Sequence, residues 1–358
     1  MYNTALNILK KIEDNGFKAY IIGGYVRDRY LNIESNDIDI CTSAKPVDLK
    51  KIFNSKNIKN TEYGSLNLFF KNEHYEITTF RKEIEYKNNR KPSKIIYVDT
   101  LEEDIIRRDF TINTICIDKD ENIIDLLNGR NDLDNKIIKM VGDPFYKLEQ
   151  DSLRILRAIR FATRLNFKID EQLFKAIKKY GYLLNKLSFY RKKQELDKIL
   201  SSPNNKYGIE LIKKAHLDKY LDLSLNNIVY IDDLLGMWSQ INNNYPFTKN
   251  ELKIINKINE LKNKKIDNYT LYSNGLYICS IVYKLQQKDV KELINNYNNL
   301  PIHSIKEIKI KITDISNILD IEPIKSKEIF NEIELLILNN KINNNYEDIK
   351  NYIQKHFK

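Results

Sequence analysis

Asp37-Ile38-Asp39 sets two carboxylates two residues apart, and on a strand such residues face the same way. Paired hard oxygen donors of this kind hold divalent cations. Just upstream, Gly23-Gly24-Tyr25-Val26-Arg27-Asp28 joins a glycine turn to a guanidinium. The turn lets a phosphate approach the backbone, and the guanidinium can bind it. Together these residues point to metal-assisted chemistry on a nucleoside triphosphate. Carboxylates in such chemistry hold ions that lower the pKa of an attacking hydroxyl and neutralise a leaving pyrophosphate. Glu76, in Tyr75-Glu76-Ile77-Thr78-Thr79-Phe80-Arg81, is the candidate third acid on a neighbouring strand. Each feature also has a plainer reading: glycine pairs are common at tight turns, and an Asp after Glu34-Ser35-Asn36 suits a solvated turn.

Two further constellations carry guanidinium groups. In Arg107-Arg108-Asp109-Phe110-Thr111-Ile112-Asn113, adjacent arginines suit a phosphate clamp and Asp109 can pin it, or can cap a helix start. In Asp151-Ser152-Leu153-Arg154-Ile155-Leu156-Arg157-Ala158-Ile159-Arg160, charged residues recur every third position. On a helix they form a slowly winding basic stripe, with Asp151 and Arg154 as neighbours. A carboxylate accepts from an exocyclic amine, and a guanidinium donates to a ring nitrogen or carbonyl. Cytosine and adenine each offer an amine beside a ring nitrogen, whereas uracil and guanine present a carbonyl there. One Asp/Arg pair can therefore admit C and A while rejecting U and G, leaving the other arginines for phosphates. The plainer reading is a solvated charged face.

The elements that must position these residues follow from periodicity and turn residues. Residues 4–15 read as a helix ended by Gly16, Lys18–Gly24 as a strand, Tyr25–Leu31 as a helix and Asp37–Cys41 as a strand. Leu66–Lys71 and Tyr75–Phe80 read as a hairpin around Asn72-Glu73-His74, and Ile95–Val98 as a short strand. Residues 105–117 mix helical and extended signals, and residues 123–125 close the region. After Gly142-Asp143-Pro144 apolar residues recur at helical spacing, so the remainder is expected to be all-helical, with a break at Ser201-Ser202-Pro203-Asn204-Asn205. This alternation describes an α/β or α+β domain followed by helices, and α+β, with a mixed sheet, is the fold class expected.

Composition sets the outer limits. The 358 residues exceed one ordinary core, and 42% hydrophobic with 30% charged content fits a folded, soluble chain. No apolar run reaches about 18 residues, and the amphipathic start of the chain lacks a signal-peptide apolar core. A net charge of +10 and a pI near 9.1 suit a polyanionic partner such as RNA, although lysine-rich codon usage alone raises the pI. Cys41, Cys116 and Cys279 are far apart and form no CxxC pair, which fits a reducing cytoplasm.

In one order, GGYVRD, DID, YEITTFR, RKPS, RRDFTINT, GRNDLDNKIIKMVGDP, DSLRILRAIRF and ELDKIL span about residues 18–200. The ordered set resembles the class II tRNA nucleotidyltransferase/poly(A) polymerase family of the polymerase β nucleotidyltransferase superfamily. The resemblance implies a nucleotidyltransferase head over 1–140, a helical neck with a base-recognition helix over 141–205, and a helical body and tail binding tRNA over 206–358. It implies Mg²⁺ at Asp37 and Asp39, the catalytic pair. It implies nucleotide binding at Gly24, Arg27 and Arg108, and a protein template for CTP or ATP at Asp151, Arg154, Arg157 and Arg160. The product is then the 3′-terminal CCA of tRNA, made without a nucleic-acid template. The present Lys82–Lys94 segment, with Arg90-Lys91-Pro92-Ser93, goes with addition of the final A. Two positions depart from the family pattern. Gln150 replaces a glutamate, which would loosen the hold on Arg154, and Tyr190 replaces the glutamate of a Ser-x-Glu-Arg motif, which bears on the neck helices. The alternatives are a poly(A) polymerase, whose members carry a third glycine where Tyr25 stands, and a catalytically silent tRNA-binding protein.

Overall fold

The computed structural model describes residues 1–53, 58–60, 64–87, 91–241 and 244–357. The chain forms two compact units, Met1–Leu225 with Asn243–Pro246, and Asn226–Asn242 with Phe247–Lys358. In the first, α1 (Tyr2–Glu13) buries Ala5, Ile8, Leu9 and Ile12, the spacing of a one-sided helix, and Gly16 at φ 88° turns the chain back. There follow β1 (Ala19–Ile22), α2 (Gly24–Tyr30), β2 (Asp39–Thr42), α3 (Pro46–Ile52), β3 (Ile58–Asn60), β4 (Ser65–Phe70) and β5 (Glu73–Thr79). Next come β6 (Arg81–Lys87), β7 (Lys91–Tyr97), α4 (Leu101–Ile105), a 3₁₀ turn at Thr111–Asn113, β8 (Cys116–Ile117) and β9 (Ile123–Ile124).

Among the described residues these strands build one mixed sheet in the order β3-β4-β5-β2-β1-β8-β9, with β6-β7 as a separate hairpin. β2 runs parallel to β5 and the other neighbours are antiparallel. The register sets Ile22, Asp39 and Glu76 side by side across β1, β2 and β5, so their side chains share a face. Ile22, Cys41, Phe80, Leu101, Ile105 and Cys116 pack into one buried cluster beside them. Each large apolar side chain buried this way contributes about 1.5–3 kcal/mol.

Three local expectations are corrected. The strand expected to start at Asp37 starts at Asp39, leaving Asp37 exposed ahead of the ladder while Ile38 between them is buried. The first hairpin turns at Lys71-Asn72 (φ 50° and 62°), and Glu73 and His74 belong to β5. Two positive-φ residues give a turn whose twist matches the strands, so it displaces the longer loop. The segment from Lys82 onward is mostly strand: β6 and β7 pair from Arg81↔Tyr97 to Lys87↔Lys91. Its alternation was hidden because neither Ile84 nor Ile96 is buried. Arg90 and the Asn242-Asn243 pair lie outside the described residues.

The rest of the first unit is α5 (Gly129–Asp134), β10 (Ile137–Ile138), α6 (Pro144–Gln150), α7 (Leu153–Leu165), β11 (Lys168–Ile169), α8 (Glu171–Tyr180), α9 (Phe189–Leu200), α10 (Asn205–Lys214) and α11 (Asp218–Leu221). The expected break between α9 and α10 is there. The all-helical expectation needs one correction: β11 returns to pair in parallel with β10. That pairing, with Lys168 N–H to Lys136 O at 2.9 Å and Asp170 N–H to Ile138 O at 3.0 Å, ties the end of α7 to the sheet region. The second unit is helical among the described residues, from Leu234–Trp238 through Lys249–Leu261, Asn268–Leu285, Val290–Asn298, Ile312–Leu319 and Pro323–Leu338 to Tyr346–His356. No described helix is long and apolar enough to cross a membrane.

The Asp109–Asn113 segment is braced from below. Val141 N–H donates to Asp109 O at 2.9 Å, Thr111 N–H to Lys139 O at 3.0 Å, and Thr111 Oγ1 to Asp132 at 2.6 Å. Gly129 makes this approach possible, since a Cβ there would stand 2.3 Å from the Thr111 carbonyl oxygen. Backbone cannot yield as a side-chain tip can. Gly129→Ala is expected to cost about 1–3 kcal/mol, the range for overpacking, read as a lower urea midpoint by circular dichroism; an unchanged midpoint would contradict the close approach.

Candidate active site

A cleft of about 800 Å³ opens in the first unit, lined by the β1–α2 turn, the start of β2, residues 107–113, the α6–α7 junction, α7 and the end of α9. The nine residues given catalytic or nucleotide-binding roles from the sequence line it: Gly24, Arg27, Asp37, Asp39, Arg108, Asp151, Arg154, Arg157 and Arg160. Glu76 does not, although it sits beside Asp39. Among the described lining residues, eight cationic side chains face five carboxylates, an excess that suits a polyphosphate.

The acidic corner forms where β1 meets α2. Gly23 adopts φ 87°, and a Cβ there would lie 3.3 Å from Asp39 Oδ2, so glycine serves both the turn and the approach of the carboxylate. Burial, then the carboxylates of Glu76 and Asp37, push Asp39 up to about 7, with Arg108 opposing. A carboxylate crowded by like charges lacks a counter-cation. Among the described residues no three acidic, imidazole or thiol groups converge as a complete cage. One or two carboxylates completed by substrate phosphates is the habit of a hard divalent cation such as Mg²⁺, so the donor set fits.

Arg27 is only 1% exposed and already engaged. Its Nε donates to Asp28 at 2.8 Å and its Nη1 to Asn113 at 2.6 Å. The other oxygen of Asp28 accepts from Arg164 of α7 at 2.8 Å. Arg108 is held by Asp104 at 3.1 Å, and Asp104 also takes Arg107 at 2.8 Å. The Nε of Arg108 is buried without a hydrogen-bond partner among the described residues.

Asp109 does not cap a helix; the 3₁₀ turn starts after Phe110. It pins a guanidinium, that of Arg157 of α7, accepting from Nε at 2.7 Å and also from Nη2. Arg160 pairs with buried Glu195 of α9 at 3.0 Å, and burial, then Arg157, lower it to about 10. Arg27, Arg157 and Arg160 all pack on the Phe161 ring, their guanidinium carbons 5.1, 5.5 and 4.4 Å from its centre. A ring face favours cations, which helps three like charges share one wall.

The Asp151/Arg154 pair differs from a plain helical stripe. Asp151 sits between α6 and α7, accepting from Leu153 N–H at 3.0 Å, and the helix begins at Leu153. Burial raises the Asp151 carboxyl, against Arg154. Arg154 donates to the carbonyls of Lys147 at 3.0 Å and Arg107 at 3.2 Å. Its hold therefore includes two backbone carbonyls, which Gln150 does not remove. Tyr190 is 61% exposed, while Ser188 caps α9 through Arg191 N–H. Asp28, Asp104, Asn113, Phe161 and Glu195 went unremarked as site residues. Asp28 and Asp104 stand within four residues of arginines they hold, a local signal that could have found them, whereas Glu195 lies 35 residues from Arg160 and left none.

Residues 19–139 match the poly A polymerase head domain family, 166–226 the RNA and SrmB-binding site of polymerase A, and 221–353 domain 2 of tRNA nucleotidyltransferase. The CCA-adding enzyme of Ligilactobacillus salivarius is 36% identical, covering 97% of this chain and 94% of its own. That of Staphylococcus epidermidis is 31% identical, over 100% and 99%. The chain belongs to the CCA-adding enzyme family. The Bacillus stearothermophilus CCA-adding enzyme, solved in complex with CTP, superposes with a TM-score of 0.83 at 26% identity, over 99% of this chain and 96% of that one. Family membership agrees with the mixed sheet and helical remainder described above.

Burial would raise the Asp109 carboxyl, but Arg157, Asn113 and the Phe110 N–H together hold it well below the ordinary range. A depressed folded-state pKa gives stability that is present above the unfolded value of about 3.9 and lost as the pH falls through the folded value. Asp109→Asn is expected to be less stable than the parent at pH 7. It should lose less stability between about pH 4 and pH 2, measured by urea unfolding; parallel acid limbs would contradict the pairing.

Proposed function

We propose that this cleft adds the 3′-terminal CCA to tRNA from CTP and ATP, with release of pyrophosphate. The observation that carries the reading is the meeting of the Asp37/Asp39 corner, the arginine wall and the Asp151/Arg154 pair in one cleft. The relatives matched along their whole length are CCA-adding enzymes, which favours CCA over a poly(A) tail.

In this reading the tRNA 3′-hydroxyl attacks the α-phosphate in line and pyrophosphate leaves. Bound at Asp37 and Asp39, Mg²⁺ would lower the pKa of that hydroxyl and offset charge on the phosphates. Arg108, with its free Nε, binds the triphosphate. The wall of Arg27, Arg157 and Arg160 stabilises negative charge as it spreads toward the leaving group. Asp151 accepts the amine of cytosine or adenine, and Arg154 donates to the adjoining ring nitrogen. Gly24 keeps the turn open to phosphate. Residues 1–140 act as head and 141–205 as neck, while 206–358, in a chain of net charge +10, hold the tRNA body. Three buried free thiols fit a reducing cytoplasm.

Asp37→Asn/Asp39→Asn is expected to lose about 10³-fold or more of Mg²⁺-dependent incorporation of labelled CTP and ATP into tRNA lacking its 3′ end, with circular dichroism unchanged. Sequencing the 3′ ends decides the product: CCA and a stop support the reading, whereas homopolymer growth on ATP alone replaces it with poly(A) synthesis. Retained incorporation by the folded variant would remove Asp37 and Asp39 from the chemistry.

A further inference from the structure

Lys147 has no part in the reading above, yet it meets both members of the base-reading pair. It lies in the middle of α6, 8% exposed, an unusual place for an ammonium. Its Nζ donates to the Ile106 carbonyl at 2.5 Å. Its own carbonyl accepts from the Asp151 N–H at 3.2 Å and from Arg154 Nη1 at 3.0 Å. Arg154 Nη2 then donates to the Arg107 carbonyl at 3.2 Å, next in the chain to Ile106. The contacts close a ring: Ile106-Arg107 to Arg154, Arg154 to Lys147, and Lys147 back to Ile106. Two hydrogen bonds reach Arg154 from separate segments, and the Lys147 side chain fastens those segments together.

The ring has an energetic signature. It places an ammonium close to the Arg154 guanidinium, with Arg107 also nearby, and burial, then Arg154, lower Lys147 to about 8. Glu83 and Asp109 oppose that shift without cancelling it. A buried cation kept beside like charges is a poor device for stability. It serves geometry instead, because the bond to Ile106 ties α6 to residues 106–107 within the reach of the lysine side chain.

We propose that Lys147 is a positioning residue for nucleotide selection, fixing Asp151 and Arg154 in register so that C and A are accepted over U and G. This rests on the base-selection role given to Asp151 and Arg154. A guanidinium held by carbonyls from two segments keeps one plane and one direction. Loosening one anchor widens that direction, and a displaced donor then tolerates the wrong base edge. The effect falls on discrimination more than on the chemical step.

The test measures single-turnover kcat/KM for CTP, ATP, UTP and GTP on tRNA lacking its 3′ end and on tRNA ending in CC. Lys147→Met is expected to lower the preference for CTP over UTP, and for ATP over GTP, by about 10-fold or more, the scale of a small misplacement. Lys147→Arg, which can still reach the Ile106 carbonyl, should stay within about threefold of the parent. Arg154→Ala should lose at least as much discrimination, and adding Lys147→Met to it should change nothing more, because the lysine acts through the arginine. Thermal melts check folding, and Lys147→Gln carries the same comparison where Met costs the fold. Equal loss of rate with all four nucleotides at unchanged preference would make Lys147 merely structural and overturn the proposal. Native preference in Arg154→Ala would instead overturn the base-selection reading. Loss in Arg154→Ala with native preference in Lys147→Met and Lys147→Gln would overturn this inference alone.

Discussion

Seven guanidinium groups share one cleft, and holding them there is the constraint on which the site depends. Left unpaired in a half-dry cavity, they would repel one another and swing toward solvent. All seven are met by an acid or a fixed carbonyl: Asp28 takes Arg27 and Arg164, Asp104 takes Arg107 and Arg108, Asp109 takes Arg157, and Glu195 takes Arg160. Arg154 rests on backbone carbonyls. Buried pairs of this kind add little net stability, because desolvation offsets attraction. What they supply is direction. Each arginine is held in one orientation by its partner rather than left to swing.

The acidic corner works in the opposite sense. Asp37, Asp39 and Glu76 repel, and burial together with this crowding raises the Asp39 carboxyl. The fold tolerates this because the register of β1, β2 and β5 fixes Asp39 and Glu76 through ladder hydrogen bonds, which do not depend on the side chains. An electropositive wall and an electronegative corner in one cavity match a polyphosphate whose ends differ in role.

The sequence disclosed much of this through short-range pattern. The Asp-x-Asp pair, the glycine turn and the three-residue rhythm of Arg154, Arg157 and Arg160 are local, and all of them line the cleft. Helices with one apolar face, such as α1, were legible for the same reason, as was the break before Asn205. The β6–β7 hairpin was not, because its apolar residues Ile84 and Ile96 are exposed and imprint no buried alternation. Nor was the network behind the arginines. Glu195 lies 35 residues from Arg160, and Asn113 lies 86 from Arg27. Their pairing is a product of tertiary packing, and no window of sequence holds both partners.

The bonds from the sheet region to α7 have a mechanical consequence. Asp28 to Arg164, Asp109 to Arg157 and the Arg107 carbonyl to Arg154 all bridge the same two layers, and the β10–β11 ladder braces them from the far end. Prising the layers apart would break every bridge at once. The walls of the cavity are thus cross-braced at several points, so a change in its bore must break more than one of these bonds.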